Sequence, residues 1–160
     1  MASVGIESNG RLEKTAIYYN GEQIAGLKEF FLNLDEDGTF DAVIQYEGSD
    51  KQLYTKNIFV DTLTNIRIVD PSFTEEESRN LCLLEIQSDG DIENTIVARD
   101  GEELVGLISM FLHLRSNSAP KSGLLSMFNP KKEIIEEGPV FKGEFVFRND
   151  DNSTSTENIF

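Results

Sequence analysis

The fifteen residues 20–34, NGEQIAGLKEFFLNL, return eighty positions later as residues 100–114, DGEELVGLISMFLHL. At that offset residues 5–34 fall on 85–114 without a gap, and 12 of the 30 positions are identical, where composition alone would give roughly 2. Many of the remaining pairs are conservative, such as Leu12 with Ile92 and Ile24 with Leu104. Two copies of one segment must be able to form the same local structure, and the chain has to find an arrangement that buries both.

The repeated glycines say what that structure is. Asn9-Gly10 and Asn20-Gly21 in the first copy correspond to Asp89-Gly90 and Asp100-Gly101 in the second. Asn-Gly and Asp-Gly are preferred at the centre of type I′ hairpin turns, because both central residues need positive φ. Four such dipeptides at matched places predict β-hairpins. The segments RLEKTAIYY and DIENTIVAR between them carry enough β-branched and aromatic residues for strands. The next segment, 22–34, is long for one strand, and Gly26 near its middle is matched by Gly106; a glycine there predicts a bulge or sharp bend. The first copy therefore reads as five strands, at about 3–7, 12–19, 22–34, 39–47 and 53–60. In PSFTEEESRNL, Thr74 and Glu77 have the spacing of a capping box, which predicts one short helix at about 74–81 joining the units.

Past residue 114 the register changes. Residues 141–160 match 40–59 at an offset of 101, with Phe141 on Phe40 and Asn158-Ile159-Phe160 on Asn57-Ile58-Phe59. The increase from 80 to 101 corresponds to 21 inserted residues, at about 115–135. The fold expected is all-β and mainly antiparallel. It consists of two duplicated five-stranded units, barrel- or sandwich-like, at 1–80 and 81–160, with the insertion in the second. Units this small close poorly alone, so a shared core with pseudo-two-fold symmetry is expected.

Charge and composition narrow the function classes. The net charge is -15, made of 7 basic and 15 acidic side chains in residues 1–80 and 7 and 14 in residues 81–160. The acidity belongs to both halves and opposes binding to nucleic acid or anionic lipid, while maintaining solubility. No apolar run reaches the roughly 20 residues of a membrane-spanning helix, and the N-terminal sequence MASVGIESNG carries no secretory signal pattern. With a single cysteine, Cys82, the expectation is a cytoplasmic protein, or a virion component if phage-encoded.

Catalytic patterns are missing: there is no Gly-rich phosphate loop, HExxH, CxxC or nucleophile elbow. Cys82 with His113 is the one nucleophile–base pairing to weigh, but Cys82 sits in the apolar NLCLLEI, where a buried inert thiol is the commoner outcome. Alternation turns His113 away from Leu112 and Leu114, toward solvent or a hairpin partner. The acidic stretches LDEDGTF, SDGDIEN and RNDDNST read as turns, since the further oxygen ligands of a calcium loop are missing. The expectation is a protein that is not an enzyme and uses no cofactor or metal.

The insertion runs against the rest of the chain. Residues 115–135 are net +3, with Arg115, Lys121, Lys131 and Lys132 against Glu133. Between Pro120 and Pro130 lie Leu124, Leu125, Met127 and Phe128, too apolar for an ordinary exposed loop. Two readings stand. These side chains plug an open end of their own unit, or Lys121, Leu124, Leu125, Met127, Phe128, Lys131 and Lys132 dock a protein partner or a second copy.

The two-residue turn followed by GEQIAGLKEFFLNL resembles small β-domain structural proteins of tailed-phage virions, including decoration and tail components. The resemblance implies a non-catalytic interaction or assembly role and carries no functional residue with it. Two other classes remain: an acidic inhibitor or immunity-type protein acting on a basic target, and a carrier of a small apolar ligand in a barrel interior. In all three the charge predicts that no nucleic acid is bound at physiological salt, which a gel-shift assay tests. A salt-sensitive complex at sub-micromolar concentration would show the local +3 segment outweighing the global field.

Overall fold

The computed structural model describes residues 1–116 and 139–160. They form two antiparallel sheets packed on one core, with no closed barrel. The first copy supplies β1 (Ala2–Ser8), β2 (Thr15–Tyr19), β3 (Glu22–Ala25), β4 (Leu27–Asp35), β5 (Phe40–Glu47) and β6 (Leu53–Asn57). A two-residue strand, β7 (Arg67–Ile68), and the helix α1 (Glu75–Ser78) lie between the copies. The second copy supplies β8 (Cys82–Ser88), β9 (Ile96–Arg99), β10 (Glu102–Glu103), β11 (Leu107–Arg115), β12 (Val140–Arg148) and β13 (Thr154–Asn158). The order is β10-β9-β8-β1-β2-β3-β7 in one sheet and β13-β12-β11-β4-β5-β6 in the other.

The two copies are joined strand to strand. In each sheet the central pair is a strand and its own duplicate, antiparallel: β1 with β8, and β4 with β11. Gly5 stands opposite Glu85 and Leu32 opposite Leu112, so the residues at both centres differ by the repeat offset of 80. A pseudo-two-fold axis therefore passes through both sheets. Each copy gives three strands to either sheet, and the core joins them: Val4, Ile6, Leu84 and Ile86 from one sheet meet Phe30, Leu32, Leu112 and Phe145 from the other, all fully buried.

The later offset of 101 is equally visible. Ile58 N–H donates to the Ala42 carbonyl and Ile159 N–H to the Gly143 carbonyl, both at 3.1 Å. Phe40 and Phe59 meet edge to face at 5.8 Å between ring centroids, and Phe141 and Phe160 at 5.5 Å.

Local sequence accounts for most element boundaries. Asn20-Gly21 has φ 50° and 86°, and Asp100-Gly101 has 52° and 85°; each links strands through a two-residue turn, as type I′ turns require. The other two dipeptides do not form such turns. At Asn9-Gly10 and Asp89-Gly90 only the glycine has positive φ, and each loop continues through a turn of 3-10 helix, at Leu12–Lys14 and Ile92–Asn94. Polar side chains stabilise this longer loop. Ser8 Oγ lies 2.7 Å from Thr15 Oγ1 and accepts from Gly10 N–H, and Ser88 and Thr95 repeat the arrangement at 2.8 Å. The strand expected at 12–19 consequently begins at Thr15. Helix α1 carries the expected capping box, with Thr74 Oγ1 accepting from Glu77 N–H and Glu77 returning the bond to Thr74 N–H. Among the described residues no helix is long and apolar enough to cross a membrane.

The expected long strand at 22–34 is two strands, so each copy has six rather than five. The chain leaves one sheet at Gly26 and enters the other at Leu27, and Gly106 marks the same transfer in the second copy. Both glycines have positive φ, 85° and 78°, and their carbonyls accept from Glu47 and Arg148 N–H at 2.9 Å. A Cβ on Gly26 would lie 2.5 Å from the Glu47 carbonyl oxygen and 2.6 Å from Arg67 Nη2; on Gly106 the nearest atom, the Arg148 carbonyl oxygen, is 3.1 Å away. Gly26→Ala is therefore predicted to destabilise the fold by about 2–4 kcal/mol, from left-handed strain plus a backbone collision. Gly106→Ala should cost less, and urea unfolding of both variants checks the order.

Candidate functional site

The end of the sandwich where the insertion departs concentrates the features that core packing leaves unexplained. In the first copy a tight turn, 36–39, closes β4 onto β5, with Asp35 N–H donating to the Thr39 carbonyl. In the second, residues 116–139 stand between β11 and β12. Arg115 still pairs with Val140 and with Glu29, and Ser116 N–H donates to the Lys28 carbonyl at 2.9 Å. Lys121, Leu124, Leu125, Met127, Phe128, Lys131 and Lys132 lie outside the described residues.

Beside this base, on the outer side of the six-stranded sheet, is a buried ionisable cluster. Alternation along β4 and β11 sends Phe30, Leu32, Leu112 and Leu114 into the core and turns Glu29, Phe31, His113 and Arg115 the other way. These outward residues are nonetheless buried, with Glu29, His113 and Arg115 at 0%, 1% and 2% exposure. His113 Nε2 is 2.5 Å from Glu29 Oε2, and Arg115 Nε is 3.8 Å from Glu29 Oε1. Phe31 and Phe111 meet the His113 ring edge-on at 6.0 and 6.5 Å. The register of the central pair assembles the cluster, because it sets Arg115 directly opposite Glu29. His113 thus faces away from its neighbouring leucines, as alternation requires, and is buried against a carboxylate instead of meeting solvent. Sequence reasoning missed Glu29 and Arg115 as partners. Their signal was a charged residue at an outward position of each duplicated strand.

Cys82 and His113 are not brought together. Cys82 lies in β8 of the seven-stranded sheet and its Sγ contacts the Ile159 carbonyl at 3.7 Å, whereas His113 is on the far side of the other sheet. Burial, reinforced by the charge of Asp100 and opposed by Arg99, pushes the Cys82 thiol up to about 11. Little thiolate is then present at neutral pH, and the thiol is a poor nucleophile.

The acidic stretches act as turns. Asp37 accepts from Thr39 N–H, Asp89 from Asp91 N–H and Asn94 Nδ2, and Asp151 from Ser153 N–H. The Thr39 and Ser153 side chains and then their backbone N–H groups hold Asp37 and Asp151 below their ordinary range, and the Asp91 N–H with the Asn94 side chain does the same for Asp89. Among the described residues no group of His, Cys, Asp and Glu is arranged to hold a metal ion.

Two clefts open between the sheets, and the repeat relates them. The larger, about 730 Å³, is lined by Leu12, Ile17, Ile24, Leu27 and Leu114 together with Ser116 and Pro139. The smaller, about 200 Å³, is lined by Ile92, Val97, Leu104, Leu107 and Leu34, the same positions at the offset of 80. Their charges differ: Arg11 and Glu13 border the larger, and Asp35, Glu36 and Glu103 border the smaller. The barrel interior imagined for a ligand carrier does not exist, since the space between the sheets is filled by the core.

Removing the carboxylate from the buried cluster tests its structural weight. Glu29→Ala is predicted to destabilise the protein by about 3–5 kcal/mol, because buried His113 loses a hydrogen-bond partner and buried Arg115 loses the carboxylate of its ion pair. The exposed Glu13→Ala should change stability by no more than about 0.5 kcal/mol. Urea midpoints measure both. Compared with protein-family models, curated proteins and solved structures, the chain has no match.

Proposed function

We propose that this protein is a non-catalytic interaction or assembly component, with the insertion of the second copy as its docking element. The observation that supports this reading is the single large break in an otherwise two-fold chain: a four-residue connection, 36–39, in one copy against residues 116–139 in the other. The fold that carries the insertion is rigidly specified. Both central strand pairs are fixed by register, and the turns at Asn20 and Asp100 repeat the same bonds, with Ser3 N–H on the Asn20 side chain matched by Leu83 N–H on the Asp100 side chain.

The composition of the insertion fits a contact surface. Leu124, Leu125, Met127 and Phe128 are the large apolar types that anchor interfaces, and Lys121, Lys131 and Lys132 supply a basic border. The rest of the chain is strongly acidic, so a second copy or another acidic protein offers complementary charge to that segment. A virion decoration or tail component is the most concrete form of such a role, and it rests on the sequence resemblance alone. The inhibitor reading draws only on net charge, and no particular surface of the described residues favours it.

Replacing residues 117–131 with a short Gly/Ser linker is predicted to preserve cooperative thermal unfolding while abolishing self-association or capture of the native partner. Leu125→Asp with Phe128→Asp should reproduce the loss. Size-exclusion chromatography with light scattering, a pull-down and a thermal melt measure the three quantities. A collapsed melt would mean that the segment belongs to the fold, and the docking reading would fall.

A further inference from the structure

The pair of clefts supports an inference that goes beyond the assembly reading. Duplication supplies an internal control: the same positions line both clefts, so differences between them are differences in what the two copies have to do. The larger is about 730 Å³ and the smaller about 200 Å³, and only the larger lies in the range of small-molecule sites, roughly 300–1,000 Å³. Their apolar walls match pairwise, Leu12 with Ile92, Ile24 with Leu104 and Leu27 with Leu107.

The polar positions diverge in one direction. Glu103 in the smaller cleft is matched by Gln23 in the larger, and Glu36 by Ser116. Among the described residues the charged lining side chains sum to -3 in the smaller (Asp35, Glu36, Glu103) and to zero in the larger (Arg11, Glu13). In a chain of net charge -15, the larger cleft thus carries fewer carboxylates among the described residues, Glu13 against Asp35, Glu36 and Glu103. Gln23 is not available to a ligand, since its amide is occupied by Ser72 through two 2.7 Å hydrogen bonds.

A second difference points the same way. Asp91 precedes the 3-10 turn of the second copy and caps it, accepting from Glu93 N–H at 3.1 Å. The matched residue, Arg11, makes no such cap. Among the described residues the Arg11 guanidinium has no ion-pair or hydrogen-bond partner, and it stands at the mouth of the larger cleft. Where a local structural rule is relaxed in one copy only, a functional demand is the usual reason.

We propose that the larger cleft binds an amphipathic monoanion, with its apolar body against Leu12, Ile17, Ile24 and Leu27 and its carboxylate on Arg11. A guanidinium suits this role because it offers a fork of N–H donors to a carboxylate. An aliphatic acid suits the lining, whose apolar side chains are aliphatic apart from Phe141 and Pro139 and whose cation among the described residues is Arg11. The smaller cleft, smaller in volume and bordered by Asp35, Glu103 and a Glu36 paired with Arg148, would disfavour the same ligand.

Isothermal titration of the intact chain with decanoate tests this, with decanol as the uncharged control. Saturable binding at one site per chain is expected, with decanol at least about tenfold weaker. Arg11→Asp restores the residue type that caps the other copy, so it should fold as well as the parent while weakening decanoate about tenfold or more. Arg11→Lys should retain part of the affinity. The proposal is overturned by absence of saturable binding to the intact chain, by equal affinity for decanoate and decanol, or by an Arg11→Asp variant that melts normally and binds unchanged. It is also overturned if binding appears only after residues 117–131 are replaced by the linker, because the chain's own segment would then be the occupant. That outcome is separable from failure of the docking role, which is read from association rather than from ligand heat.

Discussion

The structure depends on two duplicated strands each pairing with its own copy, β1 with β8 and β4 with β11. An antiparallel strand can pair with an identical strand about a two-fold axis, and here this happens twice, at Gly5 opposite Glu85 and at Leu32 opposite Leu112. Without those pairings each copy would be a three-stranded sheet facing another three-stranded sheet, with an unpaired edge on both. Small sheets of this kind bury too little to be stable, and exposed edges recruit other chains. Self-pairing satisfies two edges at once and turns two marginal layers into two continuous sheets around one core. It also moves the remaining edges outward; in the seven-stranded sheet these are β7 and β10, only two residues long, and in the other β6 and β13, five residues each. Short edge strands offer little to pair with.

The transfer of the chain between sheets follows from the same arrangement. Because each copy must contribute to both layers, its third and fourth strands have to lie in different sheets although almost no residues separate them. Gly26 alone makes that passage in the first copy and residues 104–106 make it in the second, with Gly26 and Gly106 both at positive φ and the neighbouring strand's backbone close to each. The linker meets the first copy at a position where the copies differ. Tyr46, fully buried, donates its hydroxyl to the Thr64 carbonyl at 2.8 Å. The matched position at the offset of 101 is Phe147, which has no hydroxyl to satisfy.

Sequence made some of this legible and left the rest hidden for identifiable reasons. The hairpins at Asn20-Gly21 and Asp100-Gly101, the break at Gly26, the cap of Thr74 with Glu77 and the position of the insertion are all encoded within a few residues of where they act. The pairing of β4 with β11 is not. It joins residues about eighty apart, and alternation alone assigns faces without assigning neighbours. That is why His113 could be turned outward correctly while its contact with Glu29 went unseen. Asn9-Gly10 was misread because Asn-Gly favours a two-residue turn in isolation, whereas Ser8 and Thr15 form a side-chain bridge that holds a six-residue loop. The resemblance to phage structural proteins bears on none of these features, and the chain's own symmetry carries the argument about where function lies.

A duplicated fold offers a choice that a single-copy fold does not. The pairing at its centre constrains both copies alike where the core is shared: Leu32 and Leu112, fully buried and opposite each other, are identical, as are the core residues Ile6 and Ile86, although Gly5 and Glu85 at the other centre differ. Positions far from the axis occur twice but are needed structurally only once in each environment, and they are free to separate. Asp35 opposite Ser109, and Arg115 opposite Glu29, are the two ends of the same central pair. One end holds an exposed carboxylate beside a tight turn. The other holds a buried carboxylate with histidine and arginine. The departure of the insertion, the buried charges and the larger cleft with Arg11 at its mouth all fall at this second end. A buried ionic cluster is costly to desolvate and is seldom the cheapest way to stabilise a sheet. Its presence at one end only, beside the other departures from symmetry, fits an element placed for specificity of contact, with the two-fold sandwich supplying the rigidity that such a contact needs.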